Sequence, residues 1–392
     1  MTGSAISTES ADDGPQLAAK LESLALRHAA LREEVQRAQA AEAVTRARLS
    51  QALADALLAV ARAEADGRAA AAKAYRAAAE PLARDRRRNR VKRRLDRALV
   101  RLPSVGGALV IARSGLWARA GGGFGAMAAY ARRGADPTAQ PAALLDQAWY
   151  LSTYPDVAAG RLAPLVHYIS QGWAEGRSPH PLFDRDFYVA RNAQDLAATG
   201  LAPLEHFVHI GAAHGRDPHP LFSIDHYVAQ APELGQTGEN PLAHYLREGW
   251  RHDLSPHPLF QGERYRRLLT GDEAQIPGLV HYVTMGSARG LKPHRLFDPA
   301  WYREQYPDVA AGGFEALSHY VLAGGHEGRN PGPWFDAARY MTLRGSELRA
   351  DVDPLTDYLQ GGAWTVAQPL VSEAADPRLT PLENWASLSD GA

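Results

Sequence analysis

Histidine is the residue of this chain that most readily suggests chemistry, because imidazole binds metals and titrates near neutral pH. Of the 15 histidines, 14 follow residue 140, and most fall into two recurring sets. One set precedes an aromatic residue: His167, His206, His244, His281 and His319. A metal site needs three or four converging ligands, whereas these copies lie on successive segments. We therefore expect them to make hydrogen bonds between helix and loop rather than to bind a metal.

The second set of histidines and two tryptophans are candidates for binding a protein partner or a glycan. These histidines follow a proline in loops, where we expect greater exposure: His180, His219, His257 and His294, of which the first three are the binding candidates. They form either a titratable ridge or ordinary solvated loop positions. Trp173 and Trp250 occupy the same place in two copies of a repeat. An exposed indole there suits stacking on a sugar or anchoring a protein; the alternative is packing against the next repeat.

The sequence contains no recognisable catalytic centre. The absence of cysteine excludes cysteine nucleophiles and thiolate zinc sites. The glycine run at 121–125 lacks the flanking strand of a phosphate-binding loop. Asp351–Val352–Asp353 resembles an Asp-x-Asp metal motif, but an aspartate before Pro354 is ordinary turn chemistry. We predict no catalytic residues, no metal, no cofactor and hence a protein that is not an enzyme.

The recurring histidines belong to a tandem repeat, which three markers define. The first marker is a tyrosine spaced by 37 to 39 residues: Tyr150, Tyr188, Tyr227, Tyr265, Tyr302 and Tyr340. The second is the His–aromatic pair, replaced by Asp357–Tyr358 in the last copy. The third is a glycine five residues later, here called the marker glycine: Gly172, Gly211, Gly249, Gly286, Gly324 and Gly362. A period of this length indicates stacked helical units.

Each repeat predicts a helical hairpin. Asp or Ser after an aromatic residue suits an N-cap, as at Phe183–Asp184. The second helix begins with proline at its first position, as at Pro164 and Pro203, and we expect the marker glycine to cap its C-terminus. The predicted fold is all-α, with about six hairpins of ~38 residues in a solenoid-like array. The array covers residues 141–392, and Pro381–Trp385 resembles a partial capping copy.

The front of the chain predicts a tail and a coiled coil. Residues 1–16 are polar and predicted to be disordered. Residues 17–83 are rich in Ala, Leu, Glu and Arg, and alternating steps of four and three give an apolar seam. The seam contains Leu17, Leu21, Leu24, His28, Leu31 and Val35 before it weakens. We predict an oligomerising coiled coil; the alternative is one helix folded back, and Gly67 is a candidate break.

Residues 84–140 predict a basic amphipathic collar followed by a Gly-rich linker. The cationic residues singled out as a candidate anion-binding set are Arg86, Arg87, Arg88, Arg90, Lys92, Arg93, Arg94 and Arg97. Apolar residues such as Val91, Leu95 and Leu102 recur among them at helical spacing. This pattern is typical of a membrane-surface helix. A solvated or protein-facing helix is the alternative, and the lack of a nucleic-acid-binding fold disfavours nucleic acid.

Charge is divided unevenly along the chain. Residues 1–140 have 24 Lys and Arg against 14 Asp and Glu, whereas the remainder has 19 against 30. This asymmetry predicts two regions with different partners. The polar start lacks a signal-peptide pattern, and no apolar run reaches the ~18 residues of a membrane span. We expect a cytoplasmic protein, with peripheral attachment at the inner face of the membrane.

The repeat resembles a known bacterial pattern. Phe–Asp–x–x–Trp–Tyr, Tyr–Pro–Asp–Val–Ala–Ala–Gly, Pro–Leu–x–His–Tyr and Glu–Gly–Arg–x–Pro–His–Pro–Leu–Phe are clearest at 149–160, 164–168, 175–183 and 298–312. They resemble repeats beside bacterial glycosyltransferases, including rhamnan-synthesis F-like proteins that build or export surface polysaccharide. The resemblance covers roughly residues 145–362. In that family catalysis belongs to a separate nucleotide-sugar-binding domain, whose pattern is absent from this sequence.

The sequence thus predicts a non-catalytic scaffold or adaptor. The resemblance implies an accessory role in bacterial surface-polysaccharide or glycoconjugate assembly. The expected partners are a second copy through the coiled coil, a protein or glycan on the repeats, and an anionic membrane surface at the collar. The alternatives are a carbohydrate-binding repeat module and a glycosyltransferase-like enzyme with an unrecognised site.

Overall fold

The structure, a computed structural model, describes residues 13–78, 86–102, 104–117 and 122–360. These residues form helices joined by turns and loops, with isolated bridge pairs in place of strands, so the all-α prediction is confirmed. The chain divides into two compact units, residues 1–59 and 60–392. The tail before residue 13, the marker Gly362 and the predicted cap at 381–385 lie outside the described residues.

The described residues of the first unit, 13–59, belong to a single helix. Helix α1 runs Asp13–Ala78, so it begins four residues before the predicted start and continues into the second unit. The predicted break at Gly67 is wrong: the helix passes through this residue, because a single glycine costs only about 1 kcal/mol in a helix of strong formers. No helix in the described part of the chain is long and apolar enough to cross a bilayer.

Between α1 and the repeats the described residues form the helices α2 Arg86–Leu99, α3 Val105–Ser114 and α4 Phe124–Arg133. The predicted Gly-rich linker is therefore largely helical. Helix α4 occupies the place of a preceding repeat, since Tyr130 Oη accepts from the Leu165 N–H at 3.0 Å. Tyr245 Oη accepts from the Leu279 N–H at 3.1 Å between true repeats. These helices thus cover the first edge of the array.

Each repeat contains a first helix, a bridging segment and a second helix. The first helices are α5 Gln147–Thr153, α8 Arg185–Arg191, α11 Ile224–Gln230, α14 Gly262–Arg266, α16 Pro299–Gln305 and α19 Ala337–Arg344. The bridging segments are α6 Pro155–Ala158, α9 Ala193–Thr199, α12 Leu234–Thr237 and α17 Pro307–Ala311, with 3₁₀ turns at Gly271–Gln275 and Gly345–Glu347. The simple turn predicted at 157–160 is therefore part of a short third element.

The second helices begin as ordinary α-helices: α7 Pro164–His167, α10 Pro203–His206, α13 Pro241–Arg247, α15 Gly278–His281, α18 Ala316–His319 and α20 Pro354–Leu359. Four continue as π-turns at Tyr168–Gly172, Phe207–Gly211, Tyr282–Gly286 and Tyr320–Gly324. Short 3₁₀ segments follow at Ala212–His214 and Gly249–His252. The predicted caps are confirmed: Asp184 accepts from the Phe187 N–H at 3.0 Å, and proline starts α7 and α10.

Successive repeats are joined by backbone hydrogen bonds at the beginning of each first helix. The N-cap residue of one repeat donates its backbone N–H to a proline carbonyl in the loop that enters the next. The pairs, at 2.9–3.1 Å, are Asp146–Pro179, Asp184–Pro218, Ser223–Pro256, Gln261–Pro293 and Asp298–Pro331. Buried rings fill the space behind these loops, with Phe183 5.2 Å and Phe207 5.8 Å from Tyr188 between centroids. Backbone bonds and ring packing therefore fix the stacking together.

Candidate functional site

The histidine before the aromatic residue bonds to the marker tyrosine of its own repeat. The distances from tyrosine Oη to histidine Nδ1 are 3.1 Å for Tyr150–His167, 2.7 Å for Tyr188–His206, 2.8 Å for Tyr227–His244, 2.8 Å for Tyr265–His281 and 3.0 Å for Tyr302–His319. In the sixth repeat Tyr340 Oη lies 2.5 Å from Asp357 Oδ2. The predicted hydrogen bond is present, but it joins the first and second helices rather than helix and loop.

Burial keeps the tyrosine of this pair protonated. It raises the pKa of Tyr188 and of Tyr227 well above the ordinary value, so both hydroxyls stay neutral. The other ring nitrogen faces a carboxylate in several repeats, and His244 Nε2 is 3.1 Å from Glu248. The histidine thus bridges a tyrosine and an acid within one repeat. These contacts hold the first and second helices of a repeat together.

The marker glycine is required by the tyrosine hydroxyl, not by a helix cap. None of the five marker glycines that the structure describes has a positive φ, and Gly211 is helical at φ −61. A Cβ on Gly324 would overlap Tyr302 Oη and lie 3.2 Å from His319 Nδ1. The same overlap with a tyrosine hydroxyl recurs at Gly172, Gly211, Gly249 and Gly286. The predicted C-cap role is therefore wrong for these glycines.

The helix cap lies four residues later. Gly176, Gly215, Gly290 and Gly328 have left-handed φ values between 68 and 84, and Asp253 takes this position in the third repeat at φ 59. The carbonyl of the marker glycine then accepts from an amide five residues on, as from Arg329 to Gly324 at 2.8 Å. This is the Schellman arrangement, in which the left-handed residue is usually glycine.

The loop histidines are buried, which contradicts their expected exposure. His180, His219, His257 and His294 are only 4–7% exposed. The Nδ1 atom of each accepts the backbone N–H two residues later at 2.9–3.1 Å. The same loop supplies the proline carbonyl that joins the repeats, so we call these four residues the histidine spine. The spine histidines are structural acceptors, and no titratable surface ridge is present at them.

Burial keeps the spine neutral. It lowers the pKa of His180 and His219 to about 4, and that of His257 to about 3. Neighbouring histidines add to the effect at His257, where His226, His219 and His294 disfavour a further positive charge. Desolvation of an imidazolium ion is the main cause. A neutral ring with Nδ1 as acceptor must then carry its proton on Nε2.

The two candidate tryptophans are also engaged. Trp250 is 7% exposed, so its expected accessibility is not found, and the Arg251 guanidinium carbon lies 4.3 Å from its ring centroid. Trp173 is half-buried beneath Arg93 of α2, 5.2 Å from the ring centroid. Both contacts favour the packing alternative over stacking on a sugar.

Helix α2 docks on the repeats through its polar face. Lys92 Nζ lies 2.6 Å from Glu205 Oε1, and both side chains are at least nine-tenths buried. Asn89 Nδ2 donates to the Thr199 carbonyl at 2.8 Å. Lys92 and Arg93 therefore face protein, which corrects their place in the predicted anion-binding set. Arg94 and Arg97 are exposed, whereas the side chains of Arg86, Arg87, Arg88 and Arg90 lie outside the described part.

A cavity of about 530 Å³ brings distant parts of the second unit together. It is lined by α1, by repeats two and three, and by repeats five and six. Its charged and titratable lining residues are Arg68, Arg191, Arg349, Asp217, Asp225, Asp351, Asp353, Asp357, His226 and His257. In an extended solenoid each repeat meets only its neighbours, so the array curves until its sixth repeat faces its second.

The acids in the cavity are not equivalent. Burial raises the pKa of Asp217 to about 7 and that of Asp353 to about 6. Asp353 N-caps α20 through the Thr356 N–H at 3.0 Å, and Asp351 pairs with Arg349 at 2.5 Å. The turn interpretation of Asp351–Val352–Asp353 therefore fits both residues. No group of His, Asp or Glu among the described residues could hold a metal ion.

Other loop arginines and part of α1 have structural partners. Arg177 and Arg329 pair with Asp156 and Asp308 of their own repeats at 2.7 Å and 2.8 Å.

The end of α1 is a contact that the sequence did not predict: Tyr75 is buried there, and Arg76 bonds Asp225 at 2.9 Å. The available signal was a single aromatic residue within an alanine-rich helix. It indicates a docking point, because alanines alone offer little area to bury.

Comparison with known proteins gives no neighbour for this arrangement: no family model, no curated protein and no solved structure matches the chain.

The overlap between glycine and tyrosine predicts a specific double-mutant result. Gly324→Ala should destabilise the second unit by about 1–3 kcal/mol, because the methyl group displaces Tyr302 Oη. Tyr302→Phe removes that hydroxyl, and the remaining Cβ–Cζ distance of 3.3 Å is tolerable. The double variant should therefore be more stable than the two single effects combined predict, as measured by urea unfolding.

Gly67→Ala is the matched control for this series. Nothing lies within 4 Å of a Cβ at Gly67 in α1, so alanine should stabilise the helix by roughly 0.5–1 kcal/mol. Strictly additive effects of Gly324→Ala and Tyr302→Phe would contradict the proposed contact.

The histidine spine predicts a loss of stability in acid. Above the ordinary histidine pKa of 6.5 both states are neutral, and stability is full. As pH falls towards 4, the unfolded chain binds protons that the native spine excludes. Each such histidine then lowers the free energy of unfolding by about 1.4 kcal/mol per pH unit. Asp217 and Asp353 act in the opposite direction, because their pKa values are raised.

A single substitution isolates the spine from these acids. His257→Asn keeps an acceptor for the Leu259 N–H but does not titrate. Between pH 4.5 and 6.5 its unfolding free energy should depend on pH less steeply than the wild type, by about 1.4 kcal/mol per unit. The control His28→Asn makes the same exchange at an exposed histidine of α1, so comparison of the two variants separates the effect of burial at His257 from the exchange itself. Equal slopes for wild type and His257→Asn would reject a neutral buried His257.

Proposed function

We propose that this protein is a non-catalytic scaffold that self-associates through the first part of α1 and presents its folded second unit to a partner. The observation that carries the proposal is the exposed seam of α1. Leu21, Leu24, Leu31 and Val35 are 52–61% exposed, and they follow the alternating spacing of a coiled coil. A second copy of the same helix is the natural cover for such a seam.

The repeats support a binding role rather than a reaction. Their tyrosines, spine histidines and recurring arginines are engaged in bonds within the fold, as at Tyr227–His244 and Arg177–Asp156. Such contacts stabilise a rigid body whose outer residues differ between copies, which is the usual basis of partner recognition in repeat proteins. The sequence pattern shared with repeats beside glycosyltransferases supports a place in bacterial surface-polysaccharide assembly.

A carbohydrate-binding module is the second candidate function. The cavity favours it, because carboxylates and guanidinium groups beside the ring of Phe187 can bond sugar hydroxyls and pack on a sugar face. Arg191 stacks on Phe187 at 4.9 Å. Unlike the tryptophans, this cavity combines an aromatic ring with several polar groups.

The seam predicts a sharp effect on self-association. In sedimentation equilibrium the full chain should associate, and Leu24→Ser with Leu31→Ser should raise the dissociation constant of a dimer by about five orders of magnitude. This follows from about 2 kcal/mol per buried leucine, four leucines being lost in each dimer, and 1.4 kcal/mol per factor of ten. The control pair is Leu26→Ser with Val44→Ser, which is equally exposed but lies off the seam. A monomeric wild type at tens of micromolar, or equal effects of both pairs, would contradict the coiled coil.

The polysaccharide setting and the second candidate share one test. Fragments of the producing organism's surface polysaccharide are titrated calorimetrically into the full chain. Binding that Arg191→Gln weakens at least tenfold, with no effect of Arg161→Gln outside the cavity, would support the carbohydrate module. No heat at millimolar sugar would remove it. The scaffold proposal has a separate test. Deletion of the gene should reduce the amount of surface polysaccharide, and an unchanged amount would count against that role.

A further inference from the structure

Helix α2 is packed in an inverted orientation. Its inward face contains Asn89, Lys92 and Asp96, all of which are buried. Its outward face contains the apolar residues, with Val91 58% and Leu95 45% exposed. An amphipathic helix on a globular protein normally turns its apolar stripe towards the core. Here the fold buries the polar stripe instead and leaves Val91 and Leu95 in contact with solvent, whereas Leu99 at the end of the helix packs half-buried against the core.

The buried polar face has specific partners that hold this orientation. Lys92 bonds Glu205 at 2.6 Å, Asp96 pairs with Arg113 at 3.3 Å, and Asn89 donates to the Thr199 carbonyl at 2.8 Å. Rotating the helix to bury Val91 would leave Glu205 buried without its cation, at a cost of several kcal/mol. The outward position of the apolar stripe is therefore built into the contacts of α2.

The exposed apolar stripe continues beyond the helix and lies beside an arginine stripe. At 3.6 residues per turn Val91 and Leu95 lie on one side of α2, and Leu102 and Val105, beyond the end of the helix, are 56% and 54% exposed. Arg94 and Arg97 are exposed on the adjacent side of α2, and Arg101 is exposed in the turn that follows the helix. We call these seven residues the outward face of α2. It combines an apolar strip with a positive strip along one side of a helix.

We propose that the outward face of α2 binds the surface of an anionic membrane. Its apolar strip enters the boundary between headgroups and acyl chains, while Arg94, Arg97 and Arg101 contact lipid phosphates. A helix that lies in the membrane interface binds in this way, with its apolar residues in the boundary region and its cations at the headgroups. The charge of an anionic leaflet is opposite to that of the arginine strip. Each arginine near the leaflet should contribute a similar attraction to binding.

Two other occupants fit the face less well. A second copy related by twofold symmetry would bring the arginine strip close to its own image, and like charges repel. A nucleic acid would satisfy the arginines but gives the apolar strip nothing to bury, since its affinity comes mainly from phosphate contacts. Self-association through α1, as proposed above, would place several outward faces on one assembly and strengthen attachment.

The test uses the full chain and vesicles of defined composition. Binding is measured by cosedimentation with vesicles of phosphatidylcholine alone and of phosphatidylcholine with about 30% phosphatidylglycerol. The wild type should bind the anionic vesicles much more tightly, and less so as salt rises. Arg94→Gln, Arg97→Gln and Arg101→Gln together should weaken partitioning about a hundredfold, at about 1 kcal/mol per arginine. Arg161→Gln, Arg267→Gln and Arg339→Gln remove the same charge elsewhere and should change it little.

A second experiment measures whether the apolar strip enters the membrane. Because the chain has no cysteine, Leu95→Cys places a polarity-sensitive dye at one site only. Its emission should shift to the blue with anionic vesicles, whereas dye at the control Leu268→Cys, 45% exposed on a repeat, should not respond. Circular dichroism of each variant checks that folding is retained.

Several outcomes would overturn the proposal. These are absence of binding to anionic vesicles at low salt, equal loss of binding in the two arginine triples, or no emission shift at position 95. Tight binding of a DNA duplex that only the outward-face triple weakens, with vesicle binding absent, would assign the face to nucleic acid. The seam variants of α1 report on self-association independently, so failure of one proposal is distinguishable from failure of the other.

Discussion

The hydrogen bond between tyrosine Oη and histidine Nδ1 is the interaction on which the repeat body depends. It fixes the first helix of each repeat against the second, at 2.7–3.1 Å in five copies. The tyrosine hydroxyl also reaches the backbone of the second helix at a residue that must lack a side chain. The recurring tyrosine, histidine and marker glycine are therefore required by one contact between the two helices. The sixth repeat keeps this contact with Asp357, which replaces the histidine and lies beside Arg344.

A second layer of backbone bonds extends this local unit into an array. The proline carbonyl before each spine histidine accepts an N–H from the preceding repeat, and histidine Nδ1 closes the turn that follows. Neutral imidazole suits this place because it offers an acceptor in a site where burial disfavours an ionised group. The recurring histidines thus have hydrogen-bonding partners within the fold, and the proposals above rest on the seam of α1, the cavity and the outward face of α2.

The behaviour of α2 shows why an amphipathic pattern does not by itself decide orientation. Periodicity separates an apolar stripe from a charged one, but which stripe faces the protein depends on the partners that the fold brings near. Glu205 lies 113 residues from Lys92 in the chain and meets it only after the first two repeats have stacked. Once that pair is buried, removing either partner costs more than exposing Val91 and Leu95.

The sequence by itself determined the all-α class, the period of the repeat, its N-caps and the hydrogen-bonding role of the histidine before the aromatic residue, because these follow from local spacing. It also located the exposed seam of α1. Only the tertiary structure decided that His180 and Trp250 are buried, that Gly324 makes room for a hydroxyl rather than capping a helix, and that α1 and the sixth repeat line one cavity. Those facts depend on contacts between residues far apart in the chain, and neither composition nor periodicity records which distant groups meet.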